Sequence, residues 1–193
     1  MLNAKLGEWR HHLHMYPELS YREYETTDFI ASALREMGYE DVKTGFGALP
    51  TGVSADLNAH KTGPRIALRA DIDALPIREE SGVPFSSRSD GVMHACGAET
   101  AREMFGAERC REIPPIAGSD DFSCYGEIRP AAYFFLGMRT GETCGAHHNA
   151  AFRVDDAVLP SGAALLAAAA EVFLSNGVQG TSPLAGYGAE PHD

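Results

Sequence analysis

The chain has 193 residues, which is enough for one well-buried domain or two very small ones. Its apolar fraction of 44% and its charged fraction of 22% are ordinary for a globular protein. The formal net charge of −11 argues against a nucleic-acid partner, because phosphates are bound by basic surfaces.

The sequence predicts no targeting or membrane-spanning segment. Residues 1–16 mix charged residues and histidines with apolar ones and have no continuous apolar core. The longest apolar-rich stretch, Ala163 to Ala170, is too short to cross a bilayer. We therefore expect a cytoplasmic protein with no membrane partner. Its four widely spaced cysteines are expected to be thiols or a metal ligand rather than disulfides.

Three of the predicted helices follow from apolar periodicity and from residues that start or stop helices, and a further short helix is predicted at 99–105. In residues 2–17, apolar side chains recur at spacings of three and four, and a proline ends the helix. Ser20 and Glu23 have the spacing of a capping box before a second helix, and Gly38 supplies its end. A final helix is predicted from Pro160, since proline suits the first helical position.

Strand patterns lie between these helices. Residues 53–57 alternate between apolar and small or polar side chains, and the continuous apolar run at 66–68 indicates a strand buried on both faces. Residues 131–136 are a further buried-strand candidate, and residues 175–193 are predicted to be a disordered tail. The order of elements favours an α/β fold, with a sheet flanked by helices in one domain over residues 1–174.

The first candidate functional residues follow the apolar run at 66–68. Asp71 and Asp73 lie where open α/β sheets place functional groups, just beyond the carboxyl end of a strand. Cys96, which is close to His94, could be a zinc ligand, because thiolate and imidazole are the usual zinc donors. The alternative is a buried thiol beside a surface histidine.

Two later clusters carry further candidates. His147 and His148 are adjacent imidazoles, and on an extended segment only one of them would face a site. The alternative for this pair is a solvated loop. Ser119 is a suitable helix N-cap, and Asp120 and Asp121 would favour the positive end of the helix dipole. Orienting a substrate or a metal ligand would be an additional role for these carboxylates.

The order of the motifs along the chain is more specific than any one of them. The segments are Leu13-His14 with Pro17-Glu18-Leu19, Leu68 to Ile77, Met93 to Gly97, Gly118 to Phe122, and His148-Asn149. Over residues 5–174 this series resembles the metal-dependent amidohydrolases of N-acyl amino acids, the family of hippurate hydrolase, aminoacylases and the auxin-conjugate hydrolases.

The resemblance implies a catalytic domain with a mixed β-sheet flanked by helices, and a separate lid domain that mediates dimerisation. It implies a small-molecule N-acyl amino acid as substrate and a pair of divalent metals, zinc or manganese, with a glutamate as general base. A thiolate ligand favours zinc. By the resemblance, Cys96 and His148 would be metal ligands, with His147 as the alternative to His148. The supporting or substrate-binding candidates are Asp71, Asp73, His94, Asp120 and Asp121.

The chain departs from the family pattern at a junction near 97/98. The family has a ligand histidine where this chain has Ala98, and the sequence continues with a much later part of the pattern. The glutamate pair that supplies the general base, another ligand histidine and the lid domain fall in the missing stretch. Asp71, His94 or Glu99 would have to substitute. The alternatives are a catalytically inactive binding or interaction module, or a deletion product without a function of its own.

Overall fold

The computed structural model describes residues 2–95, 122–129, 131, 136, 145 and 147–176. The helices are α1 (Leu2–Met15), α2 (Tyr24–Glu36), α3 (Ser123–Ile128) and α4 (Leu159–Asn176), and the strands are β1 (Glu40–Phe46) and β2 (Leu49–Asp56). The predicted α/β class is confirmed. The junction near 97/98, the predicted short helix at 99–105, most of the predicted strand at 131–136 and the tail after residue 176 lie outside the described residues.

Helices α1 and α2 confirm the sequence prediction, but the predicted capping box is wrong. The carboxylate of Glu18 accepts a hydrogen bond from the backbone amide of Thr26 at 2.8 Å, and so satisfies the first turn of α2. Ser20, the predicted cap, instead donates to the carboxylate of Asp73 at 2.6 Å. The predicted end of α2 is confirmed, because Gly38 adopts a left-handed conformation with φ of 84°.

Strands β1 and β2 form an antiparallel hairpin that is attached to α2 by buried polar contacts. The hydroxyl of Thr51 on β2 donates to the carboxylate of Glu23 at 2.6 Å. The backbone amide of Gly52 donates to the hydroxyl of Thr27 at 3.0 Å. These bonds fix the start of α2 against β2, which is the strand that the alternation at 53–57 predicted.

The buried strand predicted at 66–68 is wrong. Residues 61–70 are all exposed, and residues 64–73 belong to neither a helix nor a strand. The side chains of Ile66 and Leu68 are 36% and 56% exposed. A strand buried on both faces needs neighbouring strands and covering helices, and within the described residues this segment has neither.

Glu79 joins α1 to the loop of residues 78–92. Its carboxylate accepts hydrogen bonds from Nε2 of His14 at 3.0 Å, from the hydroxyl of Ser81 and from the backbone amide of Ser87. Burial alone would raise the pKa of Glu79, but the three donors outweigh it and hold that pKa below its usual range. A second link is the hydrogen bond of 2.8 Å from the Arg88 amide to the carbonyl of Met15.

A short 3₁₀ turn at Asp156–Val158 connects α1 to α4. The carboxylate of Asp156 accepts hydrogen bonds from Nε of Arg10 and from Nε2 of His11 on α1. Burial raises the pKa of Asp156, but these two partners lower it by more, so that its pKa lies below the usual range. The ring of His11 also stacks on Phe85, with centroids 3.7 Å apart.

Helix α4 is longer than the apolar stretch counted in the sequence. It begins one residue before the predicted Pro160 and runs for 18 residues. The window Asp156–Ser175 is long and apolar enough to cross a membrane, by length and composition only, and 6% of it is buried. The apolar stretch counted from Ala163 to Ala170 was therefore too short. A core helix of a protein that crosses no membrane can have the same length and apolar composition.

Replacing Glu79 by Gln is expected to lower the free energy of unfolding by about 2 kcal/mol at pH 7, because buried donors lose a charged acceptor. The native pKa of Glu79 is lowered, so its contribution is present above the unfolded pKa of about 4.3 and is lost as the pH falls through the native pKa. Urea unfolding at pH 7 and pH 3 should therefore show a difference between wild type and variant that shrinks in acid.

The matched control is Glu80→Gln, since the neighbouring Glu80 side chain is exposed. This variant should unfold like the wild type at both pH values. A Glu79→Gln variant whose deficit is the same at pH 3 as at pH 7 would contradict the assignment.

Candidate functional site

Asp73 and His94 lie side by side, although 20 residues separate them. The Asp73 carboxylate accepts the Ser20 hydrogen bond, and the imidazole of His94 lies close to the Asp73 backbone. Burial lowers the pKa of His94 and nearby His14 lowers it further, which together outweigh the opposite effect of Asp73. Nε2 of His94 is buried and has no hydrogen-bond partner.

The loop that carries His147 and His148 is held against the segment that leads into Cys96. The backbone amide of His148 donates to the carbonyl of Ala95 at 2.9 Å. Ala95 is the residue directly before Cys96 in the chain. The loop with the predicted imidazole donors is thus held against Ala95, and Cys96 itself lies outside the described residues.

A tight turn supports this loop. Asn149 accepts a hydrogen bond from the amide of Ala151 at 2.9 Å through its side chain, and from the amide of Phe152 at 3.0 Å through its carbonyl. A Cβ at Gly145 would come within 3 Å of Asn149 Oδ1, the Phe152 amide nitrogen and the Ala151 carbonyl carbon, so the turn has no room for a larger residue there. The ring of His147 packs on Phe152 with centroids 5.3 Å apart.

The two histidines of the loop differ in backbone conformation. Both side chains are exposed. His148 has a φ of 59°, in the left-handed region that most residues avoid. The ring of His147 is packed on Phe152. The choice of His148 over His147 as metal ligand stays a prediction.

The remaining predicted residues are either engaged elsewhere or lie outside the described part of the chain. Asp71 is exposed and forms an ion pair of 2.9 Å with Arg69. Cys96, Glu99, Asp120 and Asp121 are outside the described residues. Within the described ranges, no group of three or more His, Cys, Asp or Glu side chains could hold a metal ion. A metal site would therefore need at least one ligand from outside these ranges.

A cavity of about 360 Å³ adjoins His94. It lies between α1, α2, residues 70–72, residues 81–85 and the segment from Phe152 to Leu159. Most of its walls are apolar. The polar and charged residues of the lining are Arg10, His14, Thr26, Asp71, Ser81, His94 and Arg153. Thr26 is only 3% exposed, and its hydroxyl has no hydrogen-bond partner.

The sequence analysis did not single out His14, Thr26 or Glu79 as functional residues. One signal was present for His14, which interrupts the apolar face of α1 and follows Leu13 in a family-like motif. No periodicity distinguishes Thr26 from its neighbour Thr27. Only the three-dimensional contacts separate the bonded hydroxyl of Thr27 from the unbonded one of Thr26.

Part of this chain is similar to known proteins. Residues 67–104 match the model of peptidase family M20/M25/M40. N-acetyl-L-cysteine deacetylase of Bacillus subtilis is 57% identical over 96 residues, which are 50% of this chain and 22% of that protein. Thermostable carboxypeptidase 1 of Saccharolobus solfataricus is 50% identical over 91 residues, 47% of this chain and 23% of that protein.

The match to the M20 family model over residues 67–104 agrees with what the motif order predicted, and about half of this chain is similar to the two named hydrolases. The chain spans less than a quarter of the length of these two relatives. A solved structure, the YxeP protein of Bacillus subtilis, is described as a dinuclear metal-binding peptidase of the M20 family. It is 47% identical and covers 49% of this chain and 26% of its own, with a TM-score of 0.45.

The two adjacent threonines of α2 provide a direct test of the cavity lining. Replacing Thr26 by Val removes an unbonded buried hydroxyl, so we expect the free energy of unfolding to rise by about 1 kcal/mol. Thr27 is equally buried. Replacing Thr27 by Val leaves the Gly52 amide without its acceptor and should lower the free energy of unfolding by about 1–2 kcal/mol. Urea unfolding of both variants measures the difference, and equal destabilisation by the two would show that the Thr26 hydroxyl is bonded.

Proposed function

We propose that this chain binds a divalent metal through Cys96 and His148 and hydrolyses the amide bond of small N-acyl amino acids. The observation that carries the proposal is the hydrogen bond between the His148 amide and the Ala95 carbonyl, which ties the imidazole loop to the residue before the cysteine. The match of residues 67–104 to the M20 family model and the similarity of half the chain to a deacetylase support the reaction class.

The donor chemistry fits such a metal in part. A thiolate and an imidazole suit zinc better than magnesium or calcium, and manganese is the second choice. A divalent metal bound there would act as a Lewis acid on the scissile carbonyl. The residues of this chain would hold it, with Cys96 and His148 as ligands and His147 as the alternative imidazole.

The neighbouring groups have supporting roles in this proposal. Asp73 is oriented by the Ser20 hydroxyl, and its backbone lies close to the His94 ring. His94 presents a buried, unpartnered nitrogen two residues before Cys96. We assign His94 and Asp73 to the support of the ligands or the substrate, together with Asp120 and Asp121, which keep the role that the family resemblance implies.

The substrate class follows from the relatives. A relative that shares 57% identity over half of this chain is named for the deacetylation of N-acetyl-L-cysteine, which makes short acyl groups the first choice. Hippurate, with a benzoyl group, represents the larger acyl groups that the family resemblance implies.

A second candidate function is a catalytically inactive binding module. It is favoured by the absence, among the described residues, of any group of three side chains that could hold a metal. The sequence also lacks the family's glutamate pair at the expected place. A catalytic zinc site uses three protein ligands and the loss of a general base costs about 10²–10⁴-fold in rate, so two ligands alone would support binding better than turnover.

Metal content and hydrolysis should be measured on the same purified full chain, with N-acetyl-L-cysteine and hippurate as substrates and added zinc or manganese. We expect one bound metal per chain and turnover that a chelator abolishes. Cys96→Ser and His148→Ala should each weaken metal binding by about a hundredfold. Loss of a residue that orients a ligand already lowers metal affinity by about 10- to 100-fold, and loss of the ligand itself should lower it at least as much.

Cys124→Ser and His147→Ala are the matched controls, since Cys124 is an exposed free thiol and His147 is the neighbouring imidazole. Both should retain the metal. If His147→Ala loses the metal and His148→Ala keeps it, the ligand assignment is reversed. Bound metal without turnover supports the binding module, and no bound metal in any sample overturns the proposal.

A further inference from the structure

Residues 65–71 have the side-chain pattern of an amphipathic strand. The even-numbered residues from 66 to 70 are apolar, and the odd-numbered residues from 65 to 71 are charged, except for Ala67. In an extended chain this period of two places the apolar side chains on one face and the charged ones on the other. All of these residues are exposed, and none has a positive φ. Among the described residues, no strand lies beside the segment.

The backbone of this segment can accept a neighbouring strand. Within the part of the chain that the structure describes, the amides and carbonyls of residues 65–71 take part in no backbone–backbone hydrogen bond. A row of such groups on an exposed, β-prone segment is a template for pairing with another chain. Pro64, which lacks an amide hydrogen, precedes the segment at the position where proline is tolerated in strands.

The charges of the segment match a second copy of the same chain in antiparallel orientation. When Leu68 lies opposite Leu68 of the second copy, Arg65 of each copy lies opposite Asp71 of the other, which gives two pairs of opposite charge. Sliding the strands by two residues places Arg69 opposite Arg65 or opposite itself. Sliding by one residue places apolar side chains opposite charged ones. Longer slides leave fewer than half of the segment paired.

The charged side chains can take up these partners at little cost. Arg65 forms an ion pair of 3.1 Å with Asp56, and Arg65 is 64% exposed in its side chain. Asp71 pairs with Arg69 at 2.9 Å, and its side chain is 58% exposed. Exposed ion pairs contribute little to stability, so Arg65 can exchange Asp56 for a carboxylate of a second copy. A carboxylate has two oxygens, so Asp71 can accept from two arginines at once.

We propose that residues 65–71 form the interface of a homodimer, in which the segments of two copies pair as antiparallel strands with Leu68 at the two-fold axis. Ile66 of each copy then packs beside Ala70 of the other, and the pairs of Arg65 with Asp71 lie at both ends. Both copies use the same surface, so the contact closes at two chains. The interface does not use the proposed metal ligands, so its test is independent of metal binding and hydrolysis.

Charge reversal tests the pairing of Arg65 with Asp71. Sedimentation velocity of the full chain should show a monomer–dimer equilibrium that depends on concentration. Arg65→Asp and Asp71→Arg each place like charges opposite each other at both ends, so each should weaken the dimer by about tenfold or more. An equimolar mixture of the two variants should dimerise like the wild type, because opposite charges again face each other. This recovery would also show that both variants fold.

Arg78→Asp and Asp90→Arg are the matched controls, because these two residues form an exposed ion pair outside the segment. Both variants should dimerise like the wild type. A wild-type chain that stays monomeric up to its solubility limit would overturn the proposal. So would assemblies larger than a dimer, full dimerisation of Arg65→Asp and Asp71→Arg alone, or a mixture of these two that stays monomeric.

Oxidative cross-linking tests the register of the pairing. Leu68→Cys places two thiols opposite each other, so an intermolecular disulfide should form that mass spectrometry assigns to position 68 of both copies. Ile66→Cys is the matched variant. Its two thiols would lie four residues apart along the paired strands, about 13 Å, whereas a disulfide needs Cα atoms within about 7 Å. Cross-linking between two copies at position 66 with none at position 68 would overturn the proposed pairing.

Discussion

The carboxylate of Glu79 links the end of α1 to the loop of residues 78–92. It accepts hydrogen bonds from His14 at the end of α1 and from Ser81 and Ser87 in the loop that follows. The next residue, Glu80, donates its amide to the carbonyl of Ala150 at 2.7 Å, in the turn that carries the histidine pair. The loop, α1 and the candidate metal-binding turn are therefore connected through two consecutive residues.

The sheet that the described residues form has two strands. The fully buried apolar cluster that the described residues show is small, with Met93, Ala95 and Phe152 at its centre and Leu75, Ile77 and Val154 around it. Buried polar contacts supply much of the remaining order, notably Thr51 with Glu23 and Thr26 with Glu18. Such hydrogen bonds are directional, so they fix the positions of the groups they join. Removing one partner leaves the other buried and unbonded, which lowers the free energy of unfolding.

How far the sequence predicted the fold depended on how local each signal was. Helix α2 and strand β2 follow from spacing within a few residues, and both are confirmed. Strand β1 was missed because Glu40 to Phe46 contains no apolar run, and the strand at 66–68 was wrong because burial depends on neighbours far along the chain. The capping error has the same origin, since Asp73 takes the hydroxyl of Ser20 across 53 residues.

The candidate site was predictable by residue type and not by arrangement. Motif order pointed to Asp73, His94 and the histidine pair, and the structure brings Asp73 to His94 and the pair to Ala95. The sequence pattern around Asp71 did not indicate the ion pair that Asp71 forms with Arg69. The cavity could not be predicted from the sequence. It lies between two helices and three loops that are distant in the chain, and a local sequence pattern carries no information on the space left between such elements.

The left-handed backbone of His148 has a consequence for laboratory evolution of this protein. A side chain with a Cβ costs about 1 kcal/mol or more in this conformation, and glycine would remove that cost. Selection for heat resistance alone would therefore favour glycine at position 148 early, and would discard the candidate ligand. Parallel libraries selected for heat resistance and for metal retention should diverge first at this codon.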